Sequence, residues 1–186
     1  MRQSGTARTL TRLARASNEQ EDVETLINLA TDPNPKVRLA VAENQITPRE
    51  ALMVLAQDKN ADIRAAVAEQ EKTPARTLAK LARDPVPQVR IAVAGNPSTA
   101  KKTLAELGLL SSAEHNNMLM RIAINHRTPA ATLQKLLLDG DKYIRRRLAL
   151  NRKLPAEILD HLLRDVDPQV IGIVQRTQEF IRQRQR

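Results

Sequence analysis

Residues 47–72, TPREALMVLAQDKNADIRAAVAEQEK, run straight into residues 73–98, TPARTLAKLARDPVPQVRIAVAGNPS. Both stretches read as one sentence: Thr-Pro, a Leu-x-x-Leu stripe, Asp, a β-branched residue with Arg, then an Ala-Val-Ala run. Working outward, the sentence extends from residue 22 to 177. Asn44, Gln70, Asn96, Asn125 and Asn151 close successive copies at intervals of 26, 26, 29 and 26 residues. Pro48, Pro74, Pro129 and Pro155 keep the same beat. A fixed period of this length marks a solenoid, in which each unit buries its apolar face only against its neighbours.

Within a unit, Thr is a good N-cap and Pro suits the first helical position. Leu52 and Leu55, Leu78 and Leu81, Leu104 and Leu107, Leu133 and Leu136, and Leu159 and Leu162 then recur at i, i+3. This predicts one apolar stripe on a helix of about ten residues. After a polar turn containing Asp, a second, shorter helix is expected at 37–43, 63–69, 89–95 and 144–150. Its buried positions are i, i+3 and i+4, as in Val37, Ala40 and Val41, and Asn or Gln closes it. The expected fold class is therefore all-α: a right-handed α-solenoid of about six two-helix repeats. Residues 1–21 are expected to form a capping helix, 22–177 the solenoid and 178–186 a basic tail. The first 18 residues hold four Arg and no acid, as an organelle transit peptide does. The echo of Thr77-Leu78 and Leu81-Ala82 in Thr9-Leu10 and Leu13-Ala14 favours the cap.

The chain has 186 residues and no cysteine, which excludes disulfides and thiolate metal sites. No apolar run approaches the ~20 residues of a membrane span, and a cytoplasmic location is the expectation. The net charge of +9 is uneven: residues 1–98 carry 14 basic and 12 acidic side chains, residues 99–186 carry 16 and 9. A basic field of this size favours polyanions or acidic protein surfaces.

The Leu-Ala-x-Asp, Val-Arg-x-Ala-Val-Ala-x-Asn and Thr-Pro elements resemble the leucine-rich repeat variant family, within the wider HEAT-like α-solenoids. The resemblance covers about five-sixths of the chain. It implies a scaffold that binds, and no particular chemistry. It also implies a short second helix, for which 3₁₀ geometry is one form. The fourth unit departs from the pattern, with Ala100 for Pro, three extra residues, and Leu110 where Asp should stand.

Asp32 and Arg38, Asp58 and Arg64, Asp84 and Arg90, and Asp139 and Arg145 are each six residues apart. In the fourth unit both members are replaced, by Leu110 and Leu119. The last unit keeps Asp165 but has Ile171. The expectation is that these residues are mutual partners, and the resemblance implies a ladder between units. Four stacked Arg that bind phosphates are the functional alternative. A charge-assisted Arg–carboxylate bond would fix the register of stacking.

Function should lie where the repeat stops repeating. The third and seventh slots of the second helix are expected to face a groove. They read Leu39 and Glu43, Ala65 and Glu69, Ile91 and Gly95, Met120 and Ile124, Arg146 and Leu150, and Gly172 and Arg176. The series is acidic at the N-terminal end and apolar and basic at the C-terminal end. The fourth slot is Ala40, Ala66 and Ala92, then Arg121 and Arg147. Two such guanidinium groups cannot be buried unpaired: they snorkel outward, pair with carboxylates or await an anion. The candidate binding residues are Met120, Arg121, Tyr143, Arg146, Arg147, Arg152 and Lys153. A stretch this basic without interleaved aromatics does not favour base stacking, although duplex backbone contacts need none.

Signals of catalysis are absent. His115, His126 and His161 have no metal-ligand spacing, and no Gly-rich phosphate loop or nucleophile motif occurs. The insertion GLLSSAEHNN at 108–117 contains Ser, Glu and His, but not as a triad. The expected role is non-catalytic binding, without a cofactor, metal, membrane or small-molecule substrate. An acidic protein is the first partner expected and a nucleic-acid backbone the second.

Overall fold

The computed structural model describes residues 5–110 and 116–184, and among these every regular element is a helix. The chain divides into two compact units, residues 1–98 and 99–186. The first holds α1 (Gly5–Ala16), α2 (Val23–Leu29), α3 (Pro35–Glu43), α4 (Arg49–Leu55), α5 (Ala61–Glu69), α6 (Ala75–Leu81) and α7 (Pro87–Gly95). The second holds α8 (Lys101–Gly108), α9 (Asn116–Ile124), α10 (Ala130–Asp139), α11 (Lys142–Ala149), α12 (Ala156–Leu162) and α13 (Pro168–Gln183).

In the first unit the second helices of successive repeats stack, α1 on α3, α3 on α5 and α5 on α7. In the second unit α9, α11 and α13 stack in the same order, while α8, α10 and α12 follow one another as first helices. The stripes read from the sequence form the core. Leu26, Leu52 and Leu78 are fully buried, as are Ile63, Val67, Val89 and Val93. In α12 the buried pair is Ile158 and Leu162, and the expected Leu159 is only half-buried.

Three local expectations change. In the first unit the first helix is the shorter, with seven residues in α4 and α6 against nine in α5 and α7, and both are α-helical, whereas α10, with ten residues against eight in α11, keeps the expected order. The second helix gains two residues at its start because Asn34 and Asn60 cap it, accepting from the N–H of Lys36 and Asp62. The Thr of Thr-Pro does not cap the helix that follows. Pro48 and Pro74 occupy the N-cap positions themselves. The hydroxyls of Thr47, Thr73 and Thr128 donate backwards, at 2.6 Å, to the carbonyls of Val41, Val67 and Ile122. These are last-turn carbonyls of the preceding helix, which take the C-cap N–H at 3.2 Å and accept the Thr hydroxyl as a second donor.

At the other end of the chain, residues 178–183, expected within a basic tail, continue α13. Ser111, Ser112, Glu114 and His115 of the insertion lie outside the described residues.

Candidate binding surface

The Arg side chains of the repeat divide into those that hold the stack and those that face solvent. Arg38 donates from Nε and Nη2 to the carboxylate of Asp58, at 2.6 and 3.1 Å, twenty residues ahead. Arg64 grips Asp84 in the same bidentate way at 2.7 and 2.9 Å, and Arg145 grips Asp165 at 2.7 and 3.3 Å. Nε of Arg12, in the capping helix, lies 2.7 Å from Asp32. The expected six-residue partnership therefore needs correction. Toward its own turn each Arg donates to backbone: Nη1 of Arg38 and of Arg64 donates to the carbonyls of Asp32 and Asp58 at 2.7 Å, and Nη1 of Arg90 to that of Asp84 at 2.6 Å. The ladder Asp does a second job. Its Oδ1 accepts from the N–H two residues on, at 2.8–2.9 Å, in Asp32, Asp58, Asp84 and Asp165. A side chain as short as Asp forms this turn and still leaves oxygen for the incoming guanidinium.

Asp139 is not a rung. It is exposed and pairs with Lys135 at 3.5 Å, one helical turn back. The cause is upstream: the residue twenty places earlier is Leu119, which has no guanidinium to offer. Freed from that duty, α10 runs to ten residues and ends at Gly140. A Cβ on Gly140 would collide with the Leu136 carbonyl and the Ile144 side chain, so this turn requires glycine.

These contacts set the ionisation of the rungs. Burial opposes ionisation of Asp58, but the Arg38 guanidinium and the Asn60 N–H hold its carboxyl below the ordinary carboxylate value. The Arg64 guanidinium does the same for Asp84 against burial, with help from the Val86 N–H. Arg38, Arg64 and Arg145 are each raised by the hydrogen bonds to their carboxylate partners.

The surface candidates occupy one side of the second unit's helices. Tyr143, Arg146, Arg147 and Leu150 follow at i, i+3, i+4 and i+7 and share a face of α11. Tyr143 and Leu150 are exposed, as is Ile124 in the corresponding slot of α9, while Met120 is half-buried. Arg121 and Arg147 are exposed, whereas Ala40 and Ala92 in the same slot are buried. The arginines thus reach solvent and are not buried, carboxylate-paired groups among the described residues. Arg146 is different. Its Nε and Nη2 meet Asp167 at 2.9 and 2.8 Å, and its guanidinium carbon lies 5.5 Å from the Tyr143 ring centre. The Gln169 N–H and, against some burial, Arg146 hold Asp167 below the ordinary value. Arg146 is therefore a neutralised strut. Arg152 stacks over Phe180 at 4.2 Å, and Lys153 is exposed. No carboxylate among the described residues pairs with Arg121, Arg147, Arg152 or Lys153.

In the first unit the third and seventh slots line a concavity of about 510 Å³ formed by Leu39, Glu43, Ala65, Ala66 and Glu69, with Asp62 and Glu71 at its margin. No group of three or more His, Asp or Glu among the described residues is placed to hold a metal. No described helix is long and apolar enough to cross a membrane.

A solved structure described as a leucine-rich repeat variant with a novel repetitive protein structural motif matches this chain with a TM-score of 0.57 and 27% identity. The match covers 82% of this chain and 60% of that one, so the chain spans less than two thirds of its neighbour's length. The chain folds as a leucine-rich repeat variant. No protein-family model matches the sequence, and no curated protein matches it.

The chain also carries a second ladder, built from the residues that close each unit. Asn44, Gln70, Asn96 and Asn151 are buried. Each side-chain amide donates to two backbone carbonyls of the preceding repeat. Asn96, for example, reaches Ala68 and Gln70 at 2.7 and 2.8 Å, and Asn151 reaches Ala123 and Asn125. The signal was present in the regular return of a carboxamide. It served above only as a mark of where a unit ends.

Proposed function

We propose that this variant-repeat chain is a non-catalytic binding scaffold that recognises an acidic protein surface through residues 99–186. The carrying observation is the set of exposed cations without carboxylate partners among the described residues: Arg121, Arg147, Arg152 and Lys153. Arg121 shares a helix face with the exposed Ile124, and Arg147 with the exposed Tyr143 and Leu150. Cations among apolar and aromatic groups are the composition of protein-recognition surfaces. A repeat fold supports a binding role in general, and a cytoplasmic setting fits the absence of cysteine. The second reading is contact with a duplex nucleic-acid backbone, favoured by the 16 basic against 9 acidic side chains of that unit.

The test uses a labelled oligo-glutamate peptide and a short DNA duplex, each titrated at several salt concentrations. Arg121→Glu with Arg147→Glu should weaken peptide binding by about tenfold, through the charge reversal of an exposed patch. Lys36→Glu with Lys59→Glu, equally exposed but in the charge-balanced unit, should have little effect. Circular dichroism and melting should be unchanged in both. Duplex binding that falls steeply and linearly in log salt, with weak peptide binding, selects the second reading instead.

A further inference from the structure

The sequence holds one Tyr and one Phe, and both rings are in contact with cations in the second unit. Around Tyr143 the arginine is Arg146, already committed to Asp167. Around Phe180 neither cation has a carboxylate partner among the described residues. The guanidinium carbon of Arg152, in the turn after α11, lies 4.2 Å from the ring centre, and that of Arg184, at the end of α13, lies 4.8 Å from it. The two guanidinium carbons are thus no more than about 9 Å apart. Phe180 itself is 37% exposed. It follows Gly172 and Arg176 at i+8 and i+4, so it continues along α13 the face that carries the third and seventh slots.

We infer that Phe180, with Arg152 and Arg184, is the anchor point of the binding surface, and that its occupant is an acidic peptide segment of a partner protein. The inference rests on the acidic-partner reading above and adds the residues that would dominate it. An aromatic ring under a guanidinium fixes a long side chain that would otherwise lose rotamer entropy on binding. The guanidinium edge stays free to take a carboxylate through two N–H donors. Two such forks on one ring match a pair of acidic side chains along a peptide. The same stacking disfavours single-stranded nucleic acid, because a base would need the ring surface that the guanidinium groups occupy.

The experiment uses the full chain with fluorescein-labelled oligo-glutamate and an oligothymidylate of equal charge. Phe180→Leu keeps every charge and removes only the ring. It should weaken oligo-glutamate binding by about threefold, the scale of an exposed cation–aromatic contact. Arg152→Gln with Arg184→Gln should weaken it by about tenfold or more, as loss of dominant contacts does. The charge-matched control Arg127→Gln with Arg164→Gln, also exposed in the second unit, should change it less than about twofold, as peripheral charges do. The glutamine pair, made at exposed positions, decides the matter if Phe180→Leu disturbs folding.

An unchanged affinity in Phe180→Leu, or equal losses in the two glutamine pairs, overturns the anchor while leaving the acidic-partner reading intact. Wild-type protein that does not bind oligo-glutamate at all overturns both. Oligothymidylate that binds more tightly and is lost in Phe180→Leu would make the ring a base platform and overturn the inference.

Discussion

The two units are written in one repeat yet differ in what their arginines do. In residues 1–98 every ladder Asp has an Arg twenty residues before it, and the outward slots are aliphatic, small or acidic, with no cation among them. In residues 99–186 the rung at Leu119 and Asp139 is missing, and arginine stands where the first unit has alanine. The unit that keeps its rungs carries 14 basic and 12 acidic side chains; the other carries 16 and 9. A guanidinium held by two carboxylate oxygens and by the carbonyls of its own turn belongs to the framework. One projecting from the fourth slot of the helix belongs to the surface. Residue type alone does not tell them apart; slot does.

The sharpest way to break this distinction is to remove one rung. Arg64→Ala leaves the buried Asp84 carboxylate without its guanidinium and strips a donor from the Asp58 carbonyl, and should cost about 3 kcal/mol in urea unfolding. Asp139→Ala, in the same place in the sequence pattern but off the ladder, should cost less than about 0.5 kcal/mol. A double-mutant cycle should couple Arg64 to Asp84 and not to Asp58. Coupling to Asp58 alone would restore the six-residue pairing. Somewhat smaller is the effect expected for Asn96→Ala, about 2 kcal/mol, because two buried carbonyls lose their donor. A loss no larger than that of an exposed Asn would show that water replaces the amide.

The smallest effect is tied to pH. Asp58 and Asp84 have folded values below their unfolded ones, so their contribution is complete above the unfolded value and fades as pH falls through the folded one. The urea midpoint should therefore drop below about pH 4. Arg64→Ala should flatten that drop. A variant with the wild-type slope would place the acid sensitivity elsewhere.

Much of the fold was legible because a 26-residue period with leucine at i, i+3 admits few alternatives. The pairing was not, for a reason of arithmetic. In a strict 26-residue repeat, an Arg six residues after one Asp is also twenty residues before the next, and regular copies cannot separate the two spacings. Only the broken copies can. Asp139 lacks a partner behind it at Leu119, while Asp165 survives ahead of Ile171 because Arg145 needs it. In the first unit the second helix begins ahead of its apolar stripe because Asn34 and Asn60 cap it, and Thr-Pro, a good helix start in isolation, does not cap the first helix through its Thr. The Thr hydroxyl finds a better acceptor behind it. On the surface, the emergence of Arg121 and Arg147 was readable from the cost of burying them. The capture of Arg146 by Asp167 was not, since nothing in the spacing of those two residues repeats elsewhere.

The twenty-residue reach of the rung has a consequence for how such a chain can grow or shrink. Excising residues 47–72 would bring Arg38 to twenty residues before Asp84, and would set the Asn96 amide against the carbonyls of Ala42 and Asn44, the ones Gln70 now serves. Both ladders would close across the junction as though nothing had been removed. Unequal recombination in whole periods is thus silent to the framework, whereas a shift of a few residues would move Arg and Asp out of their twenty-residue spacing. Length in this molecule is free to vary by the unit, and the surface pattern along it is free to be reshuffled with it.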